Sequence, residues 1–360
     1  MLTPDSKIYV AGHRGLVGSA IWKNLQKRGY SNLVGKTHQE LDLLDGVAVR
    51  RFFDEERPDA VVLAAAFVGG IVANSTYRAD FIYRNLQIQQ NVIGESFRHD
   101  VKKLLFLGST CIYPRDAEQP IREEALLTKP LEYSNEPYAL AKIAGLRMCE
   151  SFGLQYGCDY IAVMPTNLYG PNDNFHLING HVMPSMMRKV HLANCLRTKN
   201  WELLHRDLAK RPICGLAPDA SDAEILAKLE ELGITGDTLT LWGTGNPLRE
   251  FLWSEDMADA SVYVLLNVSF QDTIHSVGKE IRNCHINVGT GKEIHIRDLA
   301  ALVVKAVGYE GAIAWDHTKP DGTPRKLCDV SKLHRLGWHH QVEIEDGVPR
   351  LYDWYLNSLR

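Results

Sequence analysis

Two side chains able to transfer a proton, Tyr138 and Lys142, stand four residues apart. This spacing puts both on one face of a predicted helix. A cationic ammonium beside a phenol favours the phenolate, so we expect Lys142 to lower the pKa of Tyr138 towards the range useful for proton transfer. A Tyr-x-x-x-Lys pair alone is most often coincidence or helix packing. It becomes a strong indication of chemistry when it follows a glycine loop and a serine at a strand end, as it does here.

A short segment with two hydroxyls and a thiol, Ser109-Thr110-Cys111, follows a predicted apolar strand. Its side chains therefore emerge at the carboxyl end of that strand, where open α/β sheets bind ligands. Taken alone, Cys111 is more often a buried structural thiol. The seven cysteines are odd in number and form no Cys-x-x-Cys pair, so the sequence predicts neither a disulfide scaffold nor a metal site.

A glycine-rich loop stands between the first predicted strand and the first predicted helix. A tight turn and a close backbone approach favour glycine, and a helix N-terminus offers free N–H groups to a pyrophosphate. The strand before the loop and the helix after it make dinucleotide binding the favoured interpretation. The loop residues are Gly12, His13, Arg14, Gly15, Leu16, Val17 and Gly18.

The end of the second predicted strand indicates which nicotinamide cofactor binds. An NAD site usually ends this strand with an acidic residue that binds the ribose 2′-hydroxyl. Here Lys36 stands at the strand end and Arg14 lies in the glycine loop, and two cations suit the 2′-phosphate of NADP. The alternative is that Lys36 is only a solvated strand end. Asp42 is near enough along the chain to contact the adenosine in either case.

Short β-branched runs alternate with longer helical patterns through the first half of the chain. The predicted strands are Lys7–Ala11, Leu33–Lys36, Ala60–Ala64, Lys103–Gly108 and Tyr160–Met164. The predicted helices are Leu16–Arg28, Val47–Glu56, Asn74–His99 and Glu136–Tyr156. This alternation implies right-handed crossovers and an α/β fold, a Rossmann-type doubly wound parallel sheet.

The pattern becomes irregular after Pro165. A further strand is predicted at Asn283–Val288 and a helix at Ile296–Val307. The segment 191–238 contains a helical stretch, Asp222–Leu232, between proline-containing turns. A surface insertion is the simpler interpretation of this segment, and a lid or a subunit contact beside the site is the alternative.

Length and composition describe a globular protein of about two domains. The chain has 360 residues, of which 45% are hydrophobic, and a formal net charge of −4, which argues against disorder and against a general nucleic-acid coat. The first residues contain no apolar signal core, and the longest apolar run, Ala60 to Ala73, is too short to span a bilayer. We therefore expect a reduced, cytoplasmic protein with neither nucleic acid nor membrane as a partner.

Eight motifs together make the sequence similar to a known family. They resemble the extended nucleotide-sugar branch of the short-chain dehydrogenase/reductase superfamily, and more closely the GDP-L-fucose synthase family, whose members epimerise and reduce GDP-4-keto-6-deoxy-mannose. The resemblance covers nearly the whole chain except about 195–238. The motifs are Ala11–Gly18, Ala64–Asn74, Gly108–Pro114, Asn135–Gly145, Val163–Gly170, Asp173–His181, Trp242–Leu252 and Lys319–Asp329.

The resemblance implies a chemical role for residues that otherwise look ordinary. A ketone at carbon 4 acidifies the protons at carbons 3 and 5, and Cys111 and His181 match the base and the acid that would remove and return them. Ser109 and Tyr138 would hydrogen-bond the carbon-4 oxygen and stabilise the enolate. The same tyrosine would protonate that oxygen during reduction by NADPH, while Lys142 would hold the nicotinamide ribose. Which group acts first in each epimerisation is left open.

The resemblance also implies the binding residues. It gives NADP(H) as cofactor, a GDP-sugar as substrate and a homodimer as assembly. His38 stands where the family often has an arginine for the 2′-phosphate, which weakens the NADP prediction. Besides the glycine loop, the implied cofactor residues are Lys36, His38, Leu41, Asp42, Leu43, Leu107, Gly108, Ser109, Thr110, Lys142, Pro165, Thr166, Asn167, Leu168 and His181. The implied substrate residues are Lys189, Trp242, Arg249, Asp321 and Lys326.

The expected organisation is an NADP-binding domain over 1–170, to which later segments return, and a smaller C-terminal α/β substrate-binding lobe over 171–360 with the insertion at about 195–238. Three residues have plain alternatives: His181 as a structural histidine, Trp242 as a core residue and Arg249 as a surface charge. Two other functions stay open. One is another nucleotide-sugar epimerase or 4-reductase, and the other is a non-catalytic NADP-sensing protein on the same fold.

Overall fold

The computed structural model describes residues 2–274, 280–319 and 321–360, which form two compact units. The first unit comprises the residues up to Leu168 together with Glu250–Lys292 and Leu327–Gln341. The second unit comprises Tyr169–Arg249, Glu293–Lys326 and Val342–Arg360. The assignment of a cofactor role and a substrate role to separate domains stays a prediction.

The elements follow one another in this order along the chain. The strands are β1 (Ile8–Ala11), β2 (Leu33–Val34), β3 (Ala60–Leu63), β4 (Lys103–Leu107), β5 (Tyr160–Pro165), β6 (Asn167–Tyr169), β7 (Thr238–Trp242), β8 (Leu248–Arg249), β9 (Phe251–Trp253), β10 (Ile286–Val288), β11 (Ile294–His295), β12 (Ala312–Asp316) and β13 (Arg325–Lys326). The helices are α1 (Leu16–Lys27), α2 (Gly46–Glu56), α3 (Ile71–Thr76), α4 (Arg78–Arg98), α5 (Glu136–Tyr156), α6 (Val182–Arg197), α7 (Trp201–Lys210), α8 (Asp222–Glu231), α9 (Ser254–Asn267), α10 (Ile296–Val307), α11 (Ser331–Arg335) and α12 (Ile344–Ser358).

The first unit is built on a six-stranded sheet in the order β10-β5-β4-β3-β1-β2. Every pairing in it is parallel; Ile8, for example, stands opposite Leu33 on one side and Ala60 on the other. The chain runs from β1 to β2 at one edge and then returns to β3 on the other side of β1. This reversal of strand order makes a crevice at the carboxyl ends of β1 and β3, where doubly wound folds bind their ligands.

Alternate residues of β1 face two different hydrophobic cores, as the period of a strand requires. Ile8 and Val10 pack in the core that also contains Ile21 of α1, and Tyr9 and Ala11 pack in the core that contains residues of α2, α4 and α5. Both faces of the sheet are therefore covered by helices. The predicted Rossmann-type α/β fold is confirmed.

Most predicted bounds in the first unit lie within two residues of the observed ones, and two depart further. The helix predicted over Asn74–His99 is two helices, α3 and α4, which are separated at Tyr77, where φ is −106° and ψ is 42°. The strand predicted at Asn283–Val288 begins only at Ile286. Among the described residues, no helix is long and apolar enough to cross a membrane.

The second unit contains β7 paired in parallel with β12, and a three-stranded sheet in the order β11-β8-β13. Helix α6 packs against α10 and α7, and α10 packs against α12. The segment interpreted above as a surface insertion contains α7 and α8. That interpretation is wrong for the inner faces of these helices, because Leu204 and Asp207 of α7 and Leu229 of α8 are completely buried.

Candidate active site

The glycine loop that follows β1 forms a cradle too narrow for side chains. Gly12 has φ of +87°, which favours glycine, and a Cβ on it would lie 2.8 Å from the backbone nitrogen of Ala65. A Cβ on Gly18 would collide with the carbonyl of Gly12. Among the described residues, no side chain caps the first N–H groups of α1. These groups are therefore available to an anion, and the cradle fits the pyrophosphate of a dinucleotide.

The residues predicted to surround the adenosine 2′-phosphate lie near one carboxylate. Hydrogen bonds from Thr37, and after them the charges of Lys36 and Arg14, hold the pKa of Glu40 below its ordinary value. Lys36 also lies 3.9 Å from a carboxylate oxygen of Glu56. The two cations are therefore partly balanced by acids, but they act on the same small region of the surface.

Other residues of the predicted adenosine site pack around the second strand. The ring of His13 covers Gly35, where a Cβ would come within 2.6 Å of Nδ1, and its centroid lies 5.5 Å from that of Trp22. Nδ1 of His38 lies 3.6 Å from a carboxylate oxygen of Asp42, and both side chains are exposed. Of the two leucines that flank Asp42, Leu41 is buried and Leu43 is partly buried.

A tight turn follows β4 and carries the predicted serine and cysteine. Ser109 begins the turn, and its Oγ accepts a hydrogen bond of 3.2 Å from the backbone N–H of Cys111. Two residues after the cysteine, the hydroxyl of Tyr113 lies 2.9 Å from Nε2 of His285 in the interior. Hydrogen bonds thus hold both ends of the turn. The backbone positions of Ser109 and Cys111 at the end of the strand are therefore fixed.

Tyr138 and Lys142 lie in the first turns of α5, which packs against the turn that carries Ser109 and Cys111. Lys142 is only 3% exposed. Its Nζ donates a hydrogen bond of 2.8 Å to the carbonyl oxygen of Leu107 and lies 5.8 Å from the centre of the Tyr138 ring. The lysine therefore ties α5 to the end of β4. The structure brings Ser109, Cys111, Tyr138 and Lys142 together.

The electrostatics of this cluster differ from the expectation. Burial raises the pKa of Tyr138 above its ordinary value, and the nearby Cys111 raises it further. Burial also lowers the pKa of Lys142 to about 7. The prediction that Lys142 lowers the pKa of Tyr138 is therefore wrong for this structure, because the loss of water penalises the phenolate and the ammonium alike. Tyr138 is held as a neutral phenol, a proton donor.

The segment Pro165–Leu168 continues from β5 at the same edge of the sheet. The N–H of Thr166 donates to the carbonyl of Val288 at 3.0 Å, and the amide of Asn167 donates to the carbonyl of Glu250 at 2.8 Å. The carboxylate of Glu250 is completely buried and accepts hydrogen bonds from the backbone of Thr290, Gly291 and Cys328. The carboxylate of one buried acid therefore joins two separate segments, at residues 290–291 and at Cys328, near the predicted nicotinamide end of the site.

His181 stands at the N-terminal cap of α6 in the second unit. Its side chain is exposed, but partial desolvation lowers its pKa below the ordinary value. Just before it, the N–H of Gly180 donates to the carbonyl of His176 at 3.0 Å, and the hydroxyl of Ser185 donates to the carbonyl of Leu177 at 2.8 Å. The loop that leads to His181 is therefore tightly folded back on itself.

Two turns along α6, Lys189 lies against Trp242. Lys189 is 7% exposed, and its Nζ lies 5.3 Å from the centre of the Trp242 ring. Burial lowers the pKa of this lysine. Trp242 is 47% exposed, so its interpretation as a core tryptophan is wrong. A second ammonium, that of Lys319, lies 5.6 Å from the same ring.

The other predicted substrate residues lie on neighbouring strands and loops of the second unit. Lys326 of β13 stands in register beside Arg249 of β8. Arg249 donates a hydrogen bond of 2.8 Å to the carbonyl of Leu248 and is partly buried, which contradicts its interpretation as a surface charge. Asp321 accepts hydrogen bonds of 2.7 Å from both the N–H and the hydroxyl of Thr244.

The whole chain matches known proteins. It matches the model of the NAD dependent epimerase/dehydratase family over residues 8–214 and 215–289. The chain belongs to this family. Within it, GDP-L-fucose synthase 1 of Arabidopsis thaliana is 50% identical over 359 residues, which cover 100% of this chain and 96% of the relative. GDP-L-fucose synthase of Escherichia coli strain K12 is 48% identical over 98% of this chain and 97% of the relative.

Solved structures also match. The GDP-mannoheptose C4 reductase MlghC from Campylobacter jejuni, solved with NADP bound, has a TM-score of 0.83 and 40% identity, with 99% of each chain covered. The prediction of the family from its motifs is confirmed by these matches, and so is the prediction of an enzyme.

Sequence reasoning missed two residues of the site. Glu250 lies between Arg249 and the apolar Phe251, and only its complete burial reveals its role in joining backbone segments. Lys319 begins a motif already used for the resemblance, but nothing in its spacing indicates that it lies against Trp242.

Proposed function

We propose that this enzyme converts GDP-4-keto-6-deoxy-D-mannose to GDP-L-fucose with NADPH, by epimerising carbons 3 and 5 and reducing carbon 4. One observation carries the proposal: Ser109, Cys111, Tyr138 and Lys142 meet at the end of β4 in a chain that is 50% identical, over its full length, to a GDP-L-fucose synthase. A protein that only sensed the cofactor would not need this set of groups.

The cofactor fits the first unit. The narrow glycine cradle and the N–H groups of α1 would hold the pyrophosphate, and Arg14 and Lys36 would face the 2′-phosphate. Lys142 would hold the nicotinamide ribose. When bound, NADPH supplies the hydride that carbon 4 receives. Every other step belongs to side chains of this protein.

One oxygen site serves all the steps. The hydroxyls of Ser109 and Tyr138 would both donate hydrogen bonds to the carbon-4 oxygen, and this stabilises the negative charge that develops when a neighbouring carbon loses its proton. Burial keeps Tyr138 protonated, so the phenol can give its proton to the same oxygen during reduction. A group held neutral in the ground state suits this task better than a standing phenolate.

The two epimerisations each need a base on one side of the sugar ring and an acid on the other. Cys111 would take the proton from the ring carbon, and His181 would return one to the opposite face. Desolvation lowers the pKa of His181 below its ordinary value, so its protonated form gives up a proton more readily than an ordinary imidazolium does. The order in which carbons 3 and 5 react stays open.

The second unit supplies cations for the diphosphate. Lys189 is buried against an aromatic ring, and Arg249 and Lys326 lie side by side in adjacent strands. Trp242 offers a large exposed aromatic face, and Asp321 offers a fixed carboxylate to sugar or base donors. The negative charge of a nucleotide diphosphate would be balanced by these three cationic side chains.

A single incubation tests the proposal. The purified protein is mixed with NADPH and GDP-4-keto-6-deoxy-D-mannose, and the loss of nicotinamide absorbance and the configuration of the product are measured. We expect NADPH to be consumed and the product to have the L-fuco configuration. Binding without turnover would favour a sensor, and a product whose carbons 3 and 5 keep their configuration would favour a simple 4-reductase. The cytoplasmic location and the homodimer stay predictions.

A second candidate substrate is a GDP-linked 4-keto-heptose. The observation that favours it is the 40% identity to a GDP-mannoheptose C4 reductase over 99% of both chains. Such a sugar differs from the 6-deoxy substrate in carrying further hydroxylated carbon beyond carbon 5. Comparison of kcat/KM for the two substrates decides between them, and we expect the 6-deoxy sugar to be preferred.

A further inference from the structure

A buried ion pair fastens helix α7 to helix α6. Nε of Arg188 donates to Oδ1 of Asp207 at 2.9 Å, and Nη2 lies 2.8 Å from the same oxygen. Arg188 is 2% exposed and Asp207 is completely buried. Asp207 belongs to the segment of about 195–238 outside the resemblance, whereas Arg188 directly precedes Lys189 in α6. The insertion therefore contacts the helix that carries two predicted site residues.

The same insertion also holds the loop that leads to His181. Phe175 lies in that loop, and its carbonyl accepts a hydrogen bond of 3.4 Å from Nη1 of Arg188. The guanidinium of Arg211, just after α7, lies 5.1 Å from the Phe175 ring and 4.5 Å from the Tyr355 ring. The backbone carbonyl of Arg211 accepts from Arg188, and the hydroxyl of Tyr355 donates to Asp207.

These contacts form one connected network within the second unit. Asp207 orients Arg188, Arg188 holds the carbonyl of Phe175, and the loop after Phe175 is closed by the hydrogen bonds at His176 and Leu177 before it reaches His181. If the contact between α6 and α7 served stability alone, apolar side chains would cost less free energy, because burying two charges requires their desolvation. An ion pair with directed hydrogen bonds sets a geometry that an apolar contact does not.

We propose that Asp207 is a positioning residue, which holds Arg188 and thereby the Phe175 loop, so that the insertion sets the place of His181 for proton return at the sugar ring. This inference rests on the proposed function. The segment 195–238 would then contribute to epimerisation. It would not contribute to reduction, which depends on Tyr138 and Lys142 in the first unit.

The test compares two reactions of the same full-length enzyme. Incorporation of deuterium from D₂O at carbons 3 and 5 needs the base and the acid that remove and return the ring protons, Cys111 and His181. Oxidation of saturating GDP-L-fucose by NADP⁺ begins with carbon 4 and needs neither. In Asp207→Asn, which keeps the size of the side chain, we expect deuterium exchange to fall about tenfold or more relative to oxidation, whereas complete loss of the acid costs roughly 10²–10⁴-fold. His181→Asn is the reference for complete loss of that acid.

Matched variants keep the test decisive. Asp222→Asn removes an exposed acid of the same insertion, which lies 3.1 Å from His205, and should leave the ratio of exchange to oxidation unchanged. If Asp207→Asn folds poorly, the double variant Arg188→Met with Asp207→Leu replaces both charges with apolar groups, and we expect it to keep the exchange defect. Equal loss of both reactions, or full exchange in the double variant, would overturn the inference. Failure of the wild-type enzyme to exchange would instead overturn the proposed function itself.

Discussion

Two buried lysines, one in each unit, have different surroundings. Lys142 donates to the carbonyl of Leu107 at 2.8 Å and ties α5 to β4. Lys189 faces the ring of Trp242 at 5.3 Å, and in the described part of the chain its ammonium pairs with no carboxylate or carbonyl oxygen. Burial lowers the pKa of both.

The difference indicates two kinds of site. The first unit holds Ser109 and Lys142 through backbone hydrogen bonds at the end of a parallel sheet, so the proposed oxygen site around Tyr138 would be formed before any ligand binds. In the second unit, no described carboxylate lies beside the buried ammonium of Lys189, and an anionic ligand stabilises such an arrangement. We propose that the first environment serves the chemistry and the second the capture of the diphosphate.

The largest expected effect comes from the reacting end of the first unit. Tyr138→Phe removes the proton donor, and reduction at carbon 4 should fall by about 10²–10⁴-fold, while exchange of the ring protons falls less. Nicotinamide absorbance and deuterium incorporation give the two rates. Tyr156→Phe, at the exposed end of the same helix, is the control. Near-normal reduction by Tyr138→Phe would show that another group donates the proton.

The second prediction tests the buried ammonium of Lys189. Lys189→Met should weaken GDP binding by about 10–100-fold, the loss expected for one or two charge-assisted hydrogen bonds, and leave the free energy of unfolding without ligand unchanged or increased. Calorimetric titration and urea unfolding measure the two quantities. Lys305→Met, on an exposed face of α10, should change neither. Marked destabilisation of Lys189→Met without any loss of affinity for GDP would show that Lys189 stabilises the fold and does not bind the diphosphate.

The third prediction concerns stability against pH. The pKa of Lys142 is about 7 in the folded state and 10.5 ordinarily, so between these values the unfolded chain binds one more proton and the free energy of unfolding rises with pH. This group contributes up to about 1.4 kcal/mol per pH unit in that window. Lys142→Met should lack this part of the slope in urea unfolding. An identical slope in both proteins would mean that Lys142 does not titrate there.

The smallest expected effect lies at the adenosine end. Lys36→Ala should raise the KM for NADPH by about twofold to fivefold, the value of one exposed ion pair, and leave the KM for NADH unchanged. Steady-state kinetics with each cofactor measure the change. An equal change for both cofactors would indicate that Lys36 does not recognise the 2′-phosphate, in agreement with its alternative interpretation as a solvated strand end.

The first unit could be predicted closely from the sequence, and the second only in part, at α8 and α10, which lie within one residue of the predicted helices. The alternation of strand and helix patterns placed β1, α1, β4 and α5 within two residues, because each is a local element with a clear period. The Tyr-x-x-x-Lys spacing located the pair on α5 for the same reason.

What escaped prediction depends on burial and on contacts distant in sequence. The direction of the Tyr138 pKa shift follows from the loss of water around the phenol, which no spacing reveals. The exposure of Trp242 and the ion pair between Arg188 and Asp207 follow from how separate helices and strands pack. The segment 195–238 is interpreted from its sequence as a surface insertion because its hydrophobic pattern is irregular. Its helix α7 nevertheless contributes a completely buried acid, Asp207.

The most direct test of the proposed mechanism follows hydrogen at three carbons of one product. Wild-type enzyme is incubated in D₂O with GDP-4-keto-6-deoxy-D-mannose and NADPH, and the product is examined by NMR and mass spectrometry. We expect deuterium at carbons 3 and 5, hydrogen from NADPH at carbon 4, and the L-fuco configuration. Consumption of NADPH with no deuterium at either ring carbon would contradict this mechanism, because the oxygen site at Tyr138 would then serve reduction alone.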